Sequence, residues 1–562
     1  MVKKVVKKKK KGLKGLRSAG IGSGVQTSTE RPQMVEKPPP CAVGCPNHNR
    51  IREMLMTISK AEAYEIRYEQ AFEEAFNIFA ETTPFPSVCG RVCPHPCETS
   101  CNRNEKEGAV SINKVERFIG DYALEKGFKP RKLTEETRPE KVAVVGSGPG
   151  GISAAYQLAL RGYPVTVFEA FSKPGGMLRY GIPEYRLPHD ILDAEINRVL
   201  DLGVELKLNT AVGHDISLDD LRKEYKAIFV AMGAHKGIQL RIQGEEAENV
   251  FTGTGFLHKV NTGGKVDVGE KVVVIGGGDT AVDAARMCRR MGADVTILYR
   301  RTKTEMPAID EEIDAAETEH VKIEFLAAPI DIYQTNGKAT GMKCQRMELG
   351  EPDSSGRRRP VPIDGDTFDL DFTCLIAAVS QAPNFEGFES LIEGKDWIKV
   401  DDHFKTKEDD IYSGGDNINL GLVIDAIAHG RTAALAIHEM VTGEPMPAVD
   451  PEGEALKTDK MILSYYEESA RHQHKEMPVE ERLKNMVAEI VSTYSEQEAV
   501  DEARRCMSCG MCFDCGTCWS FCQDNAIKKP LIYGDPYKVK LEFCTGCRKC
   551  AENCPCGYIE MH

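Results

Sequence analysis

Val142–Glu169 reads VAVVGSGPGGISAAYQLALRGYPVTVFE, and this stretch decides the fold. Val142–Val145 is a short apolar strand that runs into Gly146-Ser-Gly148-Pro-Gly-Gly151. A helix follows over Ile152–Leu160, then a second strand, Val165–Phe168, that ends on Glu169. In a strand–turn–helix of this kind the first glycine makes the tight turn and the second lets backbone approach a pyrophosphate. The third lets helix and strand pack closely, and the helix N-terminus faces the phosphates. Glu169, at the end of the second strand, can accept hydrogen bonds from an adenosine ribose. Gly146, Gly148, Gly151 and Glu169 are therefore expected to hold an unphosphorylated adenosine, as in FAD.

The pattern recurs downstream without a gap. Val272–Ile275 leads into Gly276-Gly-Gly278-Asp279-Thr280-Ala281, a helix, and the strand Val295–Leu298; Gly146 to Glu169 and Gly276 to Tyr299 both span 24 residues. Tyr299 stands where Glu169 stood, followed by Arg300 and Arg301. Removing the carboxylate removes repulsion toward a 2′-phosphate, and a guanidinium fork can pair with that group. The second site is expected to take NADPH in preference to NADH through Gly276, Gly278, Asp279, Thr280, Ala281, Arg300 and Arg301.

Around these units the 562 residues carry a net charge of −14, with 41% hydrophobic and 28% charged residues, an ordinary globular balance. Residues 1–17 hold eight Lys and one Arg and no acid, so the rest has 63 basic against 86 acidic residues, a net −23. A body this acidic argues against nucleic acid as a partner. Of the 20 Cys, six lie between Cys41 and Cys101 and eleven between Cys506 and Cys556. In a long chain whose N-terminal charge run precedes no apolar segment, such cysteines point to metal-bound thiolates in a reducing, cytoplasmic compartment rather than to disulfides. No membrane span is expected: the uncharged stretch Val142–Leu160 belongs to the phosphate loop.

Both cysteine groups suit iron–sulfur clusters, which take soft sulfur ligands. Cys41-x3-Cys45 and Cys89-x3-Cys93-x3-Cys97-x3-Cys101 match no zinc ribbon. Cys512-x2-Cys515-x2-Cys518-x3-Cys522 and Cys544-x2-Cys547-x2-Cys550-x3-Cys554-Pro555 match the bacterial ferredoxin run, in which the fourth Cys of each run ligates the other cluster. Two C-terminal clusters are expected: Cys512, Cys515, Cys518 and Cys554 for one, and Cys522, Cys544, Cys547 and Cys550 for the other. Cys506 and Cys509 continue the spacing upstream, so a register shift is conceivable. Cys556 is read as a supporting thiol, and Cys288, Cys344 and Cys374 as packing residues.

Longer motifs carry a family resemblance. Two nested dinucleotide units resemble the two-dinucleotide-binding flavoprotein fold, with Ala231-Met-Gly233-Ala and Ile411-Tyr-Ser-Gly-Gly-Asp416 at its flavin-contacting strand ends. Gly175-Gly176-Met177-Leu-Arg179-Tyr-Gly-Ile-Pro-Glu-Tyr-Arg-Leu-Pro188, with Tyr299-Arg-Arg-Thr-x-x-Glu305-Met-Pro307, resembles the glutamate synthase small-subunit family from about Pro40 to Met440. The resemblance implies FAD contacts at Gly176, Met177, Arg179, Gly233 and Asp416. It also implies two [4Fe–4S] clusters in the N-terminal segment, with Cys45, Cys93, Cys97 and Glu116 holding the one nearer the flavin. The family's extra Cys-x2-Cys upstream of Cys41 is missing here. Six Cys and one Glu fall one ligand short of two clusters, so at least one cluster is expected, with the roles of Cys41, Cys89 and Cys101 open. The setting of Cys506 and Cys509 (Glu502-Ala-Arg-Arg-Cys506-Met-Ser-Cys509) also resembles the missing pair, but their return to the N-terminal domain is not adopted.

The expected organisation is a basic disordered tail over 1–36, a helical iron–sulfur domain over 37–137, and an FAD domain in two parts, 138–255 and 385–450. The FAD domain brackets an NAD(P)H domain over 256–384; a helical linker over 451–500 precedes a two-cluster ferredoxin-like α+β domain over 501–562. The expected function is that of an electron-transfer flavoprotein subunit, an NAD(P)H:acceptor oxidoreductase working with a partner redox enzyme or a ferredoxin in a hetero-oligomer. It resembles the long-branch flavoproteins that accompany dissimilatory sulfite reductase or 2-oxoacid:ferredoxin oxidoreductases. A glutamate synthase small subunit and a non-catalytic redox sensor are the alternatives. Hydride transfer between rings needs no acid–base or nucleophilic residue, and none is assigned.

Overall fold

The computed structural model describes residues 27–394 and 397–562; the basic run of residues 1–17 lies outside them. Short runs of apolar residues, many of them β-branched, form two parallel sheets that are covered on both faces, as such runs require. The first sheet has the order Ile411–Ser413, Ala227–Val230, Val142–Val145, Val165–Phe168, Glu205–Lys207. Every neighbouring pair is parallel. Because Ile411–Ser413 returns to this sheet from beyond the second unit, the second unit is nested in the first.

The second sheet has the order Lys322–Phe325, Asp294–Tyr299, Lys271–Ile275, Cys374–Ala377, Val250–Thr252 and is also parallel. Val250–Thr252, placed by the sequence reading in the first FAD segment, is an edge strand of this sheet. An antiparallel ribbon, Ala327–Thr335, Lys338–Pro352 and Arg358–Asp371, projects from the second unit. Cys288 and Cys374 lie in the core of this unit, and Cys344, on the ribbon's middle strand, in the core beneath it, as packing residues.

The N-terminal domain is helical, with Ile51–Ser59, Tyr68–Ala80, Pro86–Val92 and Ile112–Lys126 around Phe72, Phe76, Phe79 and Phe118. Tyr64, which fits the apolar spacing on paper, is exposed between two helices and meets Tyr533 of the C-terminal module edge-on.

Two expectations are corrected. Residues 27–36, read as part of a disordered tail, are ordered. Pro32–Met34 pairs antiparallel with Ile559–Met561, so the tail supplies a strand to the C-terminal module. Residues 451–500, read as a helical linker, hold only the one-turn helix Val479–Arg482, two short 3-10 turns and the start of the helix Glu496–Arg504. Their ion pairs do not run along a helix: Glu489 reaches out to Arg91 and Arg117, while Glu476 pairs with Arg482 inside the segment. The segment is a strap across the N-terminal domain and the second unit, where Ile490 enters the core.

The helix Glu496–Arg504 that follows the strap is capped by Arg505, whose buried guanidinium donates to the carbonyls of Gly108, Ala109 and Ser469 and to the Glu502 carboxylate. Glu502 in turn accepts from the backbone N–H groups of Ser111 and His472. Removing one partner of a buried pair leaves an uncompensated charge. Arg505→Met is therefore expected to cost about 3–5 kcal/mol in denaturant unfolding and to open residues 440–500 to protease. An unchanged midpoint and cleavage pattern would contradict this role.

Candidate functional site: a dinucleotide cleft and four thiol sets

A cleft of about 850 Å³ opens along the C-terminal ends of the first sheet, the place where such sheets bind ligands. Gly146, Gly148, Glu169, Gly176, Met177, Gly233 and Asp416 all line it. A side chain at Gly146 (φ +97°) would strike the Ala231 carbonyl at 2.4 Å. One at Gly151 would sit 2.0 Å from the Gly146 carbonyl, so Gly151 serves helix packing and stays out of the lining. Gly148 has nothing closer than Gly176 Cα at 3.9 Å, which leaves backbone open to a ligand. The Glu169 carboxylate is buried at the strand end and accepts from the N–H groups of Ser147 (3.0 Å) and Phe171 (2.8 Å). Burial lifts the Asp416 carboxyl to about 6.

Arg179 differs from expectation. Its guanidinium is buried, pairs with Asp193 and donates to the Pro174 carbonyl; it braces the Gly175–Gly176 turn and does not line the cleft. Two lining or supporting residues had escaped the sequence reading. Asn417 bridges the sheet end by accepting from Gly233 N–H at 2.8 Å and donating to the Val230 carbonyl. His235 lines the cleft against Phe171. Only its place two residues after Gly233 could have signalled it.

In the second unit, Gly276 (φ +146°) approaches the Ala378 carbonyl so closely that a Cβ would lie 2.2 Å away. Ala281 packs against the same turn. The Tyr299 ring lies against Gly277 and its hydroxyl donates to the Glu305 carbonyl. Asp279 accepts from Ile309 N–H at 3.0 Å, tying the loop to the following segment, while the Thr280 methyl faces Gly253. Arg300, next in sequence to Tyr299, is exposed. Arg301 is buried, pairs with Asp353 at 2.7 Å and donates to the Arg358 carbonyl, so it anchors the ribbon. The two arginines have separate positions, which the sequence did not distinguish.

The cysteines gather into four sets. Cys45, Cys93 and Cys97 face Glu116, and Cys89 adjoins them from inside the helix Pro86–Val92. Burial pushes the Cys45 thiol up to about 11 and the Glu116 carboxyl well above its ordinary value, the latter with help from Glu195 and Glu98. Glu116 Oε1 is buried with no hydrogen-bond partner, an orphan acceptor aimed among thiols.

The second set was not anticipated as a unit. Cys41 and Cys101 from the N-terminal domain line one small apolar cavity together with Cys506 and Cys509, beside Leu55, Val110 and Ile112. Burial and the neighbouring thiols raise Cys41, Cys506 and Cys509 above the usual range, the last two to about 11 and 12. Arg52 reaches under the set and donates to the Cys509 carbonyl at 2.8 Å.

Cys512, Cys515, Cys518 and Cys554 line a third cavity with Met34 and Tyr537. Cys556 Sγ stands 3.9 Å from Cys554 Sγ, as a neighbouring thiol. Cys544, Cys547 and Cys550 adjoin one another, and Cys522 packs in the same core as Cys550. Among the described residues no three His, Cys, Asp or Glu side chains close around a point as a single ion requires. The second and third sets surround small cavities, which suits a cluster core of iron and sulfide.

Two nested nucleotide units joined to thiol-lined cavities define an NAD(P)H-dependent flavin iron–sulfur oxidoreductase, with FAD, a nicotinamide nucleotide and [4Fe–4S] clusters as cofactors. The chain belongs to the pyridine nucleotide-disulphide oxidoreductase family, whose model matches residues 140–430. A second model, dihydropyrimidine dehydrogenase domain II, 4Fe-4S cluster, matches residues 26–128. The chain is 36% identical over 528 residues to the NADP(+)-dependent formate dehydrogenase subunit beta of Moorella thermoacetica, covering 87% of this chain and 73% of that protein. It is 34% identical to the NADPH-Fe(3+) oxidoreductase subunit beta of Geobacter sulfurreducens (84% and 75% covered). With the glutamate synthase [NADPH] small chain of Escherichia coli it shares 35% identity over 421 residues (70% and 87% covered). No helix among the described residues is long and apolar enough to cross a membrane.

Burial, with His258 nearby, lowers His235 to about 4, so the ring is neutral above about pH 5. NADPH oxidation is expected to show no ionisation near pH 6.5 due to this ring, and His235→Asn to leave the profile between about pH 5.5 and 8 unshifted. An inflection there that vanishes in the variant would contradict the buried, neutral assignment.

Proposed function

We propose that this chain is the nucleotide-oxidising and electron-distributing subunit of a hetero-oligomeric redox complex, with four cluster sites in series. The carrying observation is the thiol set at which Cys506 and Cys509 meet Cys41 and Cys101, because it joins the N-terminal domain to the ferredoxin-like module. Bound FAD would supply two-electron hydride acceptance from NADPH together with single-electron release, and bound [4Fe–4S] clusters would supply one-electron carriage. In this reading Gly146, Gly148, Gly176, Met177, Gly233, Asp416 and Glu169 hold FAD, while Gly151 and Arg179 shape the loops that do so. Gly276, Gly278, Asp279, Thr280 and Ala281 form the NADPH loop, and Arg300 alone meets the 2′-phosphate.

Cys45, Cys93, Cys97 and Glu116 are assigned to the cluster nearest the flavin, with Cys89 as a buried neighbour. Cys41, Cys101, Cys506 and Cys509 hold the next; Cys512, Cys515, Cys518 and Cys554 the third; Cys522, Cys544, Cys547 and Cys550 the last. Formate dehydrogenase beta matches 528 residues and the glutamate synthase small chain 421, which favours the longer type of subunit over a glutamate-forming one. The residues' part is to place these groups, exclude water and supply soft or charged ligands.

Anaerobically prepared Cys506→Ser/Cys509→Ser protein is expected to lose about four irons and four sulfides per chain while keeping its flavin. Unchanged iron would overturn the second cluster. Arg300→Glu is expected to raise KM for NADPH by about 10- to 100-fold, the worth of one charge-assisted contact, with KM for NADH within about threefold. Equal effects on both nucleotides would remove Arg300 from the phosphate.

A further inference from the structure

We infer that the end of the C-terminal module around Cys522 and Cys544 is a docking face for a small, acidic iron–sulfur carrier protein. The inference rests on the relay reading above, in which these thiols belong to the last cluster. Trp519, Phe521, Leu541 and Phe543 are 47, 48, 52 and 54% exposed, although each is large and apolar. Phe521 and Phe543 immediately precede Cys522 and Cys544, and the two turns are stitched together. The Thr545 hydroxyl donates to Asp524, and Lys540 N–H donates to the Ala526 carbonyl at 2.8 Å. Phe543 N–H closes the second turn on the Lys540 carbonyl. The module's own core is made by Ile527, Tyr537, Ile559 and the buried cysteines, without these four side chains. Exposed aromatic residues gathered beside an electron exit are the composition of an interface core.

The rim selects the occupant. Residues 519–552 carry six basic and four acidic residues in a chain of net charge −14. Lys538, Lys540 and Lys549 are exposed without a carboxylate partner among the described residues, and Glu542 is the exposed acid between Leu541 and Phe543. Lys540 lies 5.9 Å from the Phe543 ring centroid, so charge and apolar surface are contiguous. A basic rim on an acidic body steers an acidic partner to this one end. Four apolar side chains make a small contact, of the size of transient electron-transfer encounters rather than of permanent subunits. The balanced exchange is two reduced carriers, NADP⁺ and H⁺ giving two oxidised carriers and NADPH, or its reverse.

The test uses the full holo chain and an acidic two-cluster ferredoxin, chemically reduced, as the probe. NADP⁺ reduction is followed as ionic strength rises from about 20 to 300 mM, with NADPH-driven ferricyanide reduction measured alongside. The expected results are a ferredoxin KM that climbs with salt and a KM at least about tenfold higher in Trp519→Ser/Leu541→Ser. The same rise, with a flattened salt dependence, is expected in Lys538→Glu/Lys540→Glu. Ferricyanide reduction and iron content should stay within about twofold of wild type in both. Unchanged ferredoxin KM in both variants, salt-independent wild-type turnover, no wild-type turnover with ferredoxin, or a copurifying subunit shielding Trp519 would each overturn the docking face. Loss of ferricyanide reduction by the wild type would instead overturn the relay reading itself.

Discussion

A single buried guanidinium, that of Arg505, fixes how the two ends of this chain meet. An isolated charge taken from water costs several kcal/mol, and it is tolerated only where hydrogen bonds and an opposite charge replace the solvent. Arg505 finds the Glu502 carboxylate and carbonyls from Gly108, Ala109 and Ser469, groups drawn from three separate segments. Any shift of the C-terminal segment would strand that charge. Its next residue is Cys506, so the geometry that satisfies the guanidinium also sets Cys506 and Cys509 opposite Cys41 and Cys101.

The rest of the architecture is consistent with this closure. Pro32–Met34 crosses to pair with Ile559–Met561, and Lys37 donates to the Gly557 carbonyl, so the N-terminal entry and the C-terminal module form one body. Met34 even lines the cavity of the third thiol set. The strap over residues 451–500 then has a mechanical role: Glu489 on Arg91 and Arg117, and Ile490 in the second unit's core, hold the route from the nucleotide units to the module. In the proposed reading the four thiol sets form a series because these contacts leave the module no freedom to swing away.

Much of this was legible in the residues. Both glycine loops, the fully buried strands beside them and the nesting were written in a local period and in a repeat without gaps, which burial then enforces. The ferredoxin runs were legible for the same reason: short fixed spacing implies one small module. What escaped depends on contacts distant in sequence. Cys506 and Cys509 looked as much like an extension of the ferredoxin run as like a missing N-terminal pair, and tertiary packing at Arg505 and Arg52 separates these. Arg300 and Arg301 are adjacent, yet Asp353, more than fifty residues away, takes one of them. The strap looked like a helical arm because it is acidic, but Glu489 is drawn to Arg91 and Arg117 of another domain. Residues 27–36 carry too few apolar side chains to announce a strand, and gain one only from a partner edge at the far terminus.

The central claim is that one chain holds four clusters in line, the second built from both of its ends. It is tested most directly by iron and acid-labile sulfide per bound flavin in anaerobically isolated protein, read with low-temperature EPR of the fully reduced state. The account predicts about sixteen irons per FAD and magnetically interacting centres throughout. About twelve irons, with Cys41, Cys101, Cys506 and Cys509 all open to alkylation in the intact protein, would contradict it.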